Sequence, residues 1–378
     1  MLLDVTRLLR RSLRREQATG IDRVGLAYID QWREEARALV RIGTHWLTPS
    51  RAASARLFDA LLRQNDAPRH LLWRCWIDAM RHHRPVARGT ALCNASLTGT
   101  EAPAYADRVR RLGLRAFYCL YDLIPITYPE YCRPGAKDAC ARRIATMAAS
   151  GSGLIVNSEV TVRDLAEYAH KAKLTLPPVE VIPLGSTPLP PAGAKPAVDL
   201  PYFVTIGTIE ARKNHLMLLN VWRRMLDTLP PEVVPRLVVI GQRGWECEQV
   251  IDFLERSRRL RGFVVETGRC DDAELSTYLH HAQALLFPSF AEGYGLPLVE
   301  ALACNTPVIA SSLDVFREIA GEVPDYLDPI DGTGWLRTIL EYSRGSSQLR
   351  ARQQGRMAGF KAPSWSDHFA KAASFLAR

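Results

Sequence analysis

The chain has 378 residues, more than a single hydrophobic core usually encloses, so two domains are expected. With 47% apolar and 24% charged residues, its composition is that of a globular protein and excludes a disordered chain. Residues 1–200 contain 29 Lys and Arg against 19 Asp and Glu, whereas residues 201–378 contain 20 against 21. A basic first half suggests an anionic partner such as a membrane surface, and the alternative is that the excess charge only aids solubility.

Motifs that are missing from the sequence narrow the function classes further. The eight cysteines form no C-x-x-C pair and lie mostly in apolar contexts, as reduced thiols would, so a zinc site is not expected. No D-x-D motif occurs, so we expect no obligatory metal. No nucleic-acid-binding motif or aromatic-interleaved basic run is present, so nucleic acid is not expected as a partner.

At the start of the chain, charges interrupt every apolar run of MLLDVTRLLRRSLRRE. This segment lacks the apolar stretch of a signal peptide and is too polar to span a bilayer. Its alternation of Leu and Arg suits a basic amphipathic surface, and the alternative is a buried first strand over Leu2–Val5.

Short apolar runs then alternate with longer helical stretches, which is typical of parallel sheets covered on both faces. The predicted strands are Ala116–Leu120, Gly153–Asn157, Val179–Pro183, Tyr202–Ile206, Leu237–Ile240, Phe263–Glu266, Ala284–Phe287 and Val308–Ala310. Between the third and fourth strands lies STPLPPAGAKPAVDLP, whose prolines exclude regular structure. We therefore predict a first domain over residues 1–190, a linker over 191–200, a second domain over 201–360 and a C-terminal helix over 361–378 that packs toward the first domain.

After the strand Tyr202–Ile206, the sequence continues with a glycine turn and then with Arg212 and Lys213, just before an amphipathic helix. Arginine offers a two-pronged donor and lysine a compact charge, so the pair is suited to stabilising a departing nucleotide diphosphate without metal. The alternative is a solvated basic turn.

Further on, a buried strand leads into a loop with Glu292, then Gly293-Tyr294-Gly295, then a helix opened by Pro297 and predicted to end near Asn305. Flexible glycines before a helix N-terminus favour phosphate binding, because the first N–H groups of a helix are unpaired. Glu292 is eight residues before Glu300, so the two carboxylates have different positions: Glu292 in the loop, Glu300 about one turn into the helix. We expect Glu292 to face a bound sugar and Glu300 to reach a ribose hydroxyl, and the alternative for Glu300 is a capping or pairing role on a solvated face.

Together these segments resemble glycosyltransferase family 4, a large family of retaining enzymes. EGYGLPLVEALACNTPVIAS is similar to its E-x7-E signature and GTIEARKNHLMLL to its phosphate-binding turn, while LVVIGQRGW and FVVETGRCDDAELSTYLHHAQALLFPS are similar to the elements between them. Many members have Arg after the first glycine of the turn, where this chain has Thr208; Arg212 stands in for it, and Lys213 carries over directly. The resemblance covers residues 202–321 densely.

The first half shows a patchier resemblance. ATGIDRVGLAYI is similar to the family's glycine loop and first helix, ALCNASLTG to an inner strand and turn, and YDLIPITYPEYCRPG to the H-D-x-x-P segment of polysaccharide-building members. In that segment the family's His contacts the donor sugar, and here Tyr121 precedes Asp122. Either the tyrosine hydroxyl makes the same contact, or its ring fills the space left by a 6-deoxy sugar.

The resemblance implies an α/β protein of the GT-B type, with two Rossmann-like, doubly wound parallel-sheet domains facing a cleft. It implies retention of anomeric configuration and catalytic roles for Glu292, Lys213, Arg212, Asp122 and Tyr121. The implied nucleotide-sugar-binding residues are Gly20, Gly207, Thr208, Arg212, Lys213, Arg269, Glu292, Gly293, Tyr294, Gly295, Leu296 and Glu300.

The expected donor is a nucleotide diphosphate sugar, with GDP-mannose as the leading candidate, and no cofactor is expected. The expected acceptor is a lipid-linked or oligosaccharide glycan of a bacterial surface polymer, met by a cytoplasmic protein at the inner face of the plasma membrane. Two alternatives are a nucleotide-sugar 2-epimerase of similar fold and a non-catalytic sugar- or lipid-binding relative.

Overall fold

The computed structural model describes residues 1–14, 16, 19–43, 45–63, 69–81, 86–195, 198 and 201–378, and within residues 69–81 the side chains of 73–79. These residues form two compact units. Unit 1 comprises Met1–Thr127, Gly135–Leu184 and Trp365–Arg378, and unit 2 comprises Tyr128–Pro134 and Gly185–Ser364. Parts of three predicted segments lie outside the described residues. They are residue 15 of the basic N-terminal stretch, residues 17 and 18 near the glycine loop, and residues 196, 197, 199 and 200 of the linker.

Unit 1 contains a sheet of seven strands among its described residues, in the order β3-β2-β1-β4-β5-β6-β7. The strands are β1 (Leu2–Asp4), β2 (Arg37–Ile42), β3 (His45–Leu47), β4 (Ala91–Asn94), β5 (Arg115–Leu120), β6 (Gly151–Val156) and β7 (Val179–Val181). Among the strands that the structure describes in unit 1, only the edge strand β3 pairs antiparallel, with β2. The central strands are buried almost throughout, as expected for a parallel sheet covered on both faces.

Eight helices in the described part of unit 1 lie before residue 185 and cover this sheet. They are α1 (Thr6–Leu13), α2 (Gly20–Trp32), α3 (Arg51–Leu62), α4 (Arg69–Arg81), α5 (Ala104–Leu112), α6 (Ile124–Thr127), α7 (Ala136–Ser150) and α8 (Glu159–Ala172). Their ends follow local chemistry. Ser158 caps α8 by accepting from the Thr161 N–H at 3.1 Å, and Gly113 closes α5 in the left-handed conformation.

Unit 2 contains six parallel strands in its described part, in the order β10-β9-β8-β11-β12-β13. They are β8 (Tyr202–Ile206), β9 (Arg236–Ile240), β10 (Val264–Gly268), β11 (Leu285–Phe287), β12 (Val308–Ser311) and β13 (Asp325–Leu327). The eight strands predicted from the sequence are confirmed, each within two residues at either end. The buried strand at the start of the chain is also present, and it is followed by the arginine-containing helix α1.

The helices of unit 2 are α9 (His215–Thr228), α10 (Glu248–Arg256), α11 (Asp272–His281), α12 (Leu296–Ala303), α13 (Asp314–Ala320), α14 (Gly332–Ser343) and α15 (Gln348–Met357). Buried side chains of α9 and α14, with Trp222 and Trp335 among the largest, pack on one face of the sheet. The last helix, α16 (Trp365–Ala377), belongs to unit 1, where the Phe375 ring lies edge-on to Phe117 with 5.7 Å between centroids. No helix in the described part of the chain has the length and apolar character needed to cross a bilayer.

Candidate active site

The candidate site of unit 2 lies where its strand order reverses. Strand β8 comes first in the chain but lies in the middle of the sheet, between β9 and β11. In open parallel sheets, ligands bind at this switch point, outside the carboxyl ends of the strands. Two loops begin there: residues 207–214 follow β8, and residues 288–295 follow β11.

Three charged side chains predicted from the sequence meet between these loops. Lys213 Nζ lies 2.5 Å from Glu292 Oε1, and Arg212 Nη1 lies 2.7 Å from Glu292 Oε2. A second carboxylate, that of Glu210, accepts from Arg212 Nη2 at 2.6 Å. The side chains of Glu292 and Lys213 are only 7% and 11% exposed. The four groups therefore carry two positive and two negative charges, and each cation is paired with a carboxylate.

The electrostatics of this cluster keep Glu292 ionised. Burial alone raises the pKa of the Glu292 carboxyl, but the charges of Arg212 and Lys213, with hydrogen bonds from Lys213 and Ser289, outweigh it and bring the pKa to about 2. Burial lowers the pKa of the Lys213 ammonium, and the charge of Glu292 opposes that change. Glu292 is thus a charged acceptor at neutral pH.

The backbone around the cluster requires glycine at two positions. Gly207 has φ +143°, and a Cβ there would lie 3.2 Å from Lys213 Cε. Gly241, after β9, has φ +157°, and a Cβ there would lie 1.9 Å from the Gly207 carbonyl oxygen. The two turns therefore approach each other at a distance that only glycine permits at position 241.

Several residues that the sequence analysis did not single out tie the two loops together. The Asn214 side chain donates to the Pro288 and Pro329 carbonyls at 3.2 and 2.8 Å, from a left-handed backbone with φ 56°. The Phe290 N–H donates to the Arg212 carbonyl at 2.9 Å. Ser289, fully buried, donates its hydroxyl to Glu292 Oε1 at 2.7 Å. The sequence does carry a signal for two of these residues. Asn214 is a polar residue of the first loop, and Ser289 lies three residues before Glu292 in the second, so a search for polar residues in the loops would have found both.

The glycine-rich loop leads into α12 as predicted. Gly295, at φ +115°, precedes the first helical residue, Leu296, and a Cβ at Gly295 would clash with the Phe316 ring at 2.8 Å. The helix ends at Ala303, close to the predicted end. Glu300 lies within α12 and is 6% exposed, so the alternative of a solvated helix face is wrong.

The remaining predicted residues of unit 2 surround this centre. Thr208 and Gly293 are half-buried, and Tyr294 is buried. Arg269 follows the edge strand β10, two strands away from β8. Among the residues that the structure describes, no group of three or more His, Cys, Asp or Glu side chains is arranged to hold a metal ion.

The predicted residues of unit 1 form a separate group. Gly20 opens α2, and Thr19 and Asp22 form a capping box there. Asp22 is also paired with Arg7 and Arg11, at 2.7 and 2.9 Å. Two ion pairs that the sequence analysis did not identify therefore join α1 to the first turn of α2.

Tyr121 and Asp122 follow β5 at the carboxyl edge of the same sheet. The Tyr121 hydroxyl is buried and donates to the Ala95 carbonyl at 2.5 Å. Asp122 Oδ1 accepts from the Ile124 N–H at 3.0 Å at the start of α6. The Tyr121 hydroxyl therefore already donates its single proton to a carbonyl of unit 1.

Residues 192–324, which contain both loops, match the family model described as glycosyl transferases group 1. Most of unit 2 therefore resembles a group 1 glycosyltransferase domain. An O-antigen chain mannosyltransferase B of Escherichia coli is 32% identical over 166 residues, 43% of this chain and 42% of that protein. The O-antigen chain mannosyltransferase RfbU of Salmonella typhimurium is 42% identical over 143 residues, 36% of this chain and 37% of that protein. The chain thus spans less than half the length of these curated relatives.

Solved structures resemble the whole chain. Anabaena Alr3699/HepE, solved with UDP and glucose, superposes with a TM-score of 0.66 over 100% of this chain and 98% of its own, at 15% identity. A trehalose-6-phosphate synthase superposes with a TM-score of 0.65 over 100% and 99%, at 11% identity. Both parallel-sheet α/β units are therefore those of the GT-B fold, which confirms the predicted fold class.

One buried residue of unit 2 has no role in the ion cluster. His215, the first residue of α9, is 3% exposed, and neither ring nitrogen has a hydrogen-bond partner among the described residues. Burial, with the nearby charge of Lys213, lowers its pKa to about 3. An unpaired buried imidazole should cost stability.

We expect His215→Leu to raise the free energy of unfolding at pH 7 by about 1–3 kcal/mol, the cost of an unsatisfied buried polar group. The folded pKa lies below the unfolded value near 6.5, so the unfolded chain takes up the proton first and stability falls as pH drops from 6.5 toward 3. The variant lacks this loss, so its advantage should grow as the pH falls below 6.5, at a rate that approaches about 1.4 kcal/mol per pH unit near pH 5. Urea titrations at each pH measure both effects.

The matched control is His170→Leu on the exposed end of α8, which should change stability at pH 7 by less than about 0.5 kcal/mol. A His215→Leu variant less stable than the unaltered chain at pH 7 would contradict the prediction, since the ring would then have a partner to lose.

Proposed function

We propose that the chain is a retaining glycosyltransferase that moves a hexose from a nucleotide diphosphate sugar to a lipid-linked or growing bacterial surface glycan. The observation that carries the proposal is the meeting of Arg212, Lys213 and Glu292 at the switch point of unit 2, beside the N-terminus of α12. Cations beside the positive end of a helix dipole suit a diphosphate, and a charged carboxylate beside them suits sugar hydroxyls.

In the proposed reaction, the bond between the sugar C1 and the diphosphate oxygen breaks while a bond from C1 to the acceptor oxygen forms on the same face. The acceptor proton passes to the leaving phosphate oxygen. Arg212 and Lys213 stabilise the charge that develops on that phosphate, and α12 adds the positive end of its dipole. Glu292 orients the sugar and is not the nucleophile. We propose that this arrangement needs no metal ion, because the two cations supply the positive charge.

Mannose from GDP-mannose is the proposed donor, supported by the names of the relatives, which are O-antigen mannosyltransferases. A lipid-linked acceptor would bring the chain to the cytoplasmic face of the plasma membrane as a peripheral protein. The net positive charge of residues 1–200 supports this location, since anionic leaflets attract Lys and Arg.

The test incubates the purified chain with radiolabelled GDP-mannose and other nucleotide sugars, with and without a polyprenyl-diphosphate-linked glycan. Transfer of label to the glycan with an α-linked product from an α-linked donor supports the proposal, and activity should persist in excess EDTA. Interconversion of donors without transfer would identify an epimerase. The absence of any turnover despite donor binding would identify a non-catalytic relative, and loss of activity on chelation with recovery in magnesium would overturn the metal-free proposal.

A further inference from the structure

An exposed pair of tryptophans marks the surface of α4 in unit 1. Trp73 is 60% exposed and Trp76 is 38% exposed, although large aromatic side chains usually contribute to cores. Their rings stack, with 5.0 Å between centroids and 19° between planes. Within the described residues, neither indole N–H has a protein acceptor. The pair is therefore an ordered aromatic surface that faces solvent.

The helix itself is held firmly against unit 1. Asp78 accepts from the Ser50 N–H at 2.7 Å and from the Ser50 hydroxyl at 3.0 Å, which ties α4 to the start of α3. Cys75, between the two tryptophans in sequence, is buried at 4% exposure on the opposite side of the helix. The aromatic surface thus belongs to a fixed element, so its exposure does not result from a fraying helix end.

Exposed arginines lie near this aromatic surface on α3 and α4. Arg74 lies exposed between the two tryptophans, and Arg51 and Arg56 are exposed on α3. Helix α3 packs against α4, so Arg51 and Arg56 lie on the helix next to the tryptophans.

We propose that Trp73 and Trp76, with the exposed Arg74 on the same helix and Arg56 on the neighbouring α3, form a docking surface for the anionic headgroup region of a lipid bilayer. Tryptophan combines an apolar body with a polar N–H and prefers the boundary between headgroups and acyl chains. Arginines beside it match the negative charge of that boundary, and a helix with apolar and basic residues lies in its plane. The surface brings unit 1 to the place where the proposed lipid-linked acceptor resides, so the inference rests on the proposed function.

The test measures co-sedimentation of the full chain with vesicles in the absence of nucleotide. Vesicles of equimolar phosphatidylglycerol and phosphatidylcholine should capture the chain at about 0.1 M salt, and less at about 1 M, where screening is stronger. Phosphatidylcholine vesicles should capture little. Trp73→Ala with Trp76→Ala should lower the affinity for anionic vesicles by about tenfold or more, and Arg74→Gln by about fivefold.

Two controls separate this surface from general apolar exposure and from misfolding. The pair Val233→Ala and Ile330→Ala removes exposed apolar surface from unit 2, where these residues are 54% and 77% exposed, and should leave vesicle binding unchanged. Trp73→Phe with Trp76→Phe keeps two aromatic rings and should retain most of the binding, but it should remove most of the quenching of tryptophan emission by brominated lipid.

Unchanged vesicle affinity of the alanine pair, or equal capture by neutral and anionic vesicles, would overturn the proposal. So would an alanine pair that loses affinity only for the free glycan, because the tryptophans would then be a sugar-stacking platform. Binding of GDP by the alanine pair and turnover on a soluble acceptor should both match the unaltered chain. Failure of transferase activity in every variant would count against the proposed function alone, since vesicle binding is read without turnover.

Discussion

Replacing Glu292 with glutamine should lower turnover about 10²-fold or more, the scale of losing a preorganised contact that acts in the transition state. The substitution preserves the shape of the side chain, and Ser289 can still donate to the remaining carbonyl oxygen. The loss should therefore appear in kcat under saturating donor and acceptor, with the chain still folded. Steady-state kinetics with the donor identified by the radiolabel screen measure it.

The same variant should bind a free nucleoside diphosphate more tightly. In the unliganded chain both carboxylates of the cluster are paired with Arg212 and Lys213, so the site as a whole carries no net charge. An entering diphosphate has to compete with Glu292 for the two cations. Without that carboxylate the site carries one net positive charge. GDP has no sugar group, so the substitution removes no contact with it, and we expect the affinity for GDP to rise about tenfold. Calorimetric titration measures the change.

Glu266→Gln is the matched control, because Glu266 is also paired with an arginine of unit 2, Arg243, at 2.8 Å. It should alter neither turnover nor GDP affinity. A Glu292→Gln variant with near-normal turnover would sink the catalytic assignment. Lower GDP affinity together with lower turnover would show that the carboxylate helps to build the site and does not compete within it.

The fold could be predicted from the sequence to the extent that each element leaves a local signal. Runs such as Tyr202–Ile206 have the buried β-branched and aromatic composition of central parallel strands. Two strands of unit 1, Arg37–Ile42 and His45–Leu47, were not predicted, because they are interrupted by arginine and histidine and rely on partners distant in sequence. Asp325–Leu327 is too short for any periodic pattern, and it forms a strand because β12 offers it an edge.

The sequence predicts which loops carry the charged residues of the candidate site, but it does not predict which of these residues form ion pairs. Glycines before a helix and cations after a strand are visible locally. That Lys213 reaches Glu292, 79 residues away, depends on β8 and β11 being neighbours, which no local pattern encodes. The same holds for Asn214, whose side chain donates to two carbonyls of other loops, and for Tyr121, whose hydroxyl donates to the Ala95 carbonyl.

Replacing Arg212 or Lys213 with alanine should each weaken GDP binding by about 1.5–3 kcal/mol, the net value of a hydrogen bond to a charged group, or about 10- to 150-fold. Each substitution also leaves Glu292 paired with one cation, so the variants should have lower melting temperatures. GDP binding should therefore be titrated well below the melting temperature of each variant. Arg223→Ala on the exposed face of α9, where the side chain is 57% exposed, is the control and should leave GDP affinity unchanged. Unchanged affinity in both test variants would mean that the cations serve only to hold Glu292.

The charge arithmetic of the cluster gives a sharper test in the double variant. With Arg212 removed, Lys213 faces two carboxylates, Glu210 and Glu292, so the site carries one net negative charge and repels a diphosphate. Adding Glu292→Gln returns the site to neutrality, and GDP affinity should recover by about tenfold while turnover stays low, because the carboxylate that orients the sugar is gone. A further loss of GDP affinity on adding Glu292→Gln would contradict this charge arithmetic, because Glu292 would then support diphosphate binding and not compete with it. Partial recovery of binding without recovery of turnover is the result that the ion-paired geometry of these side chains requires.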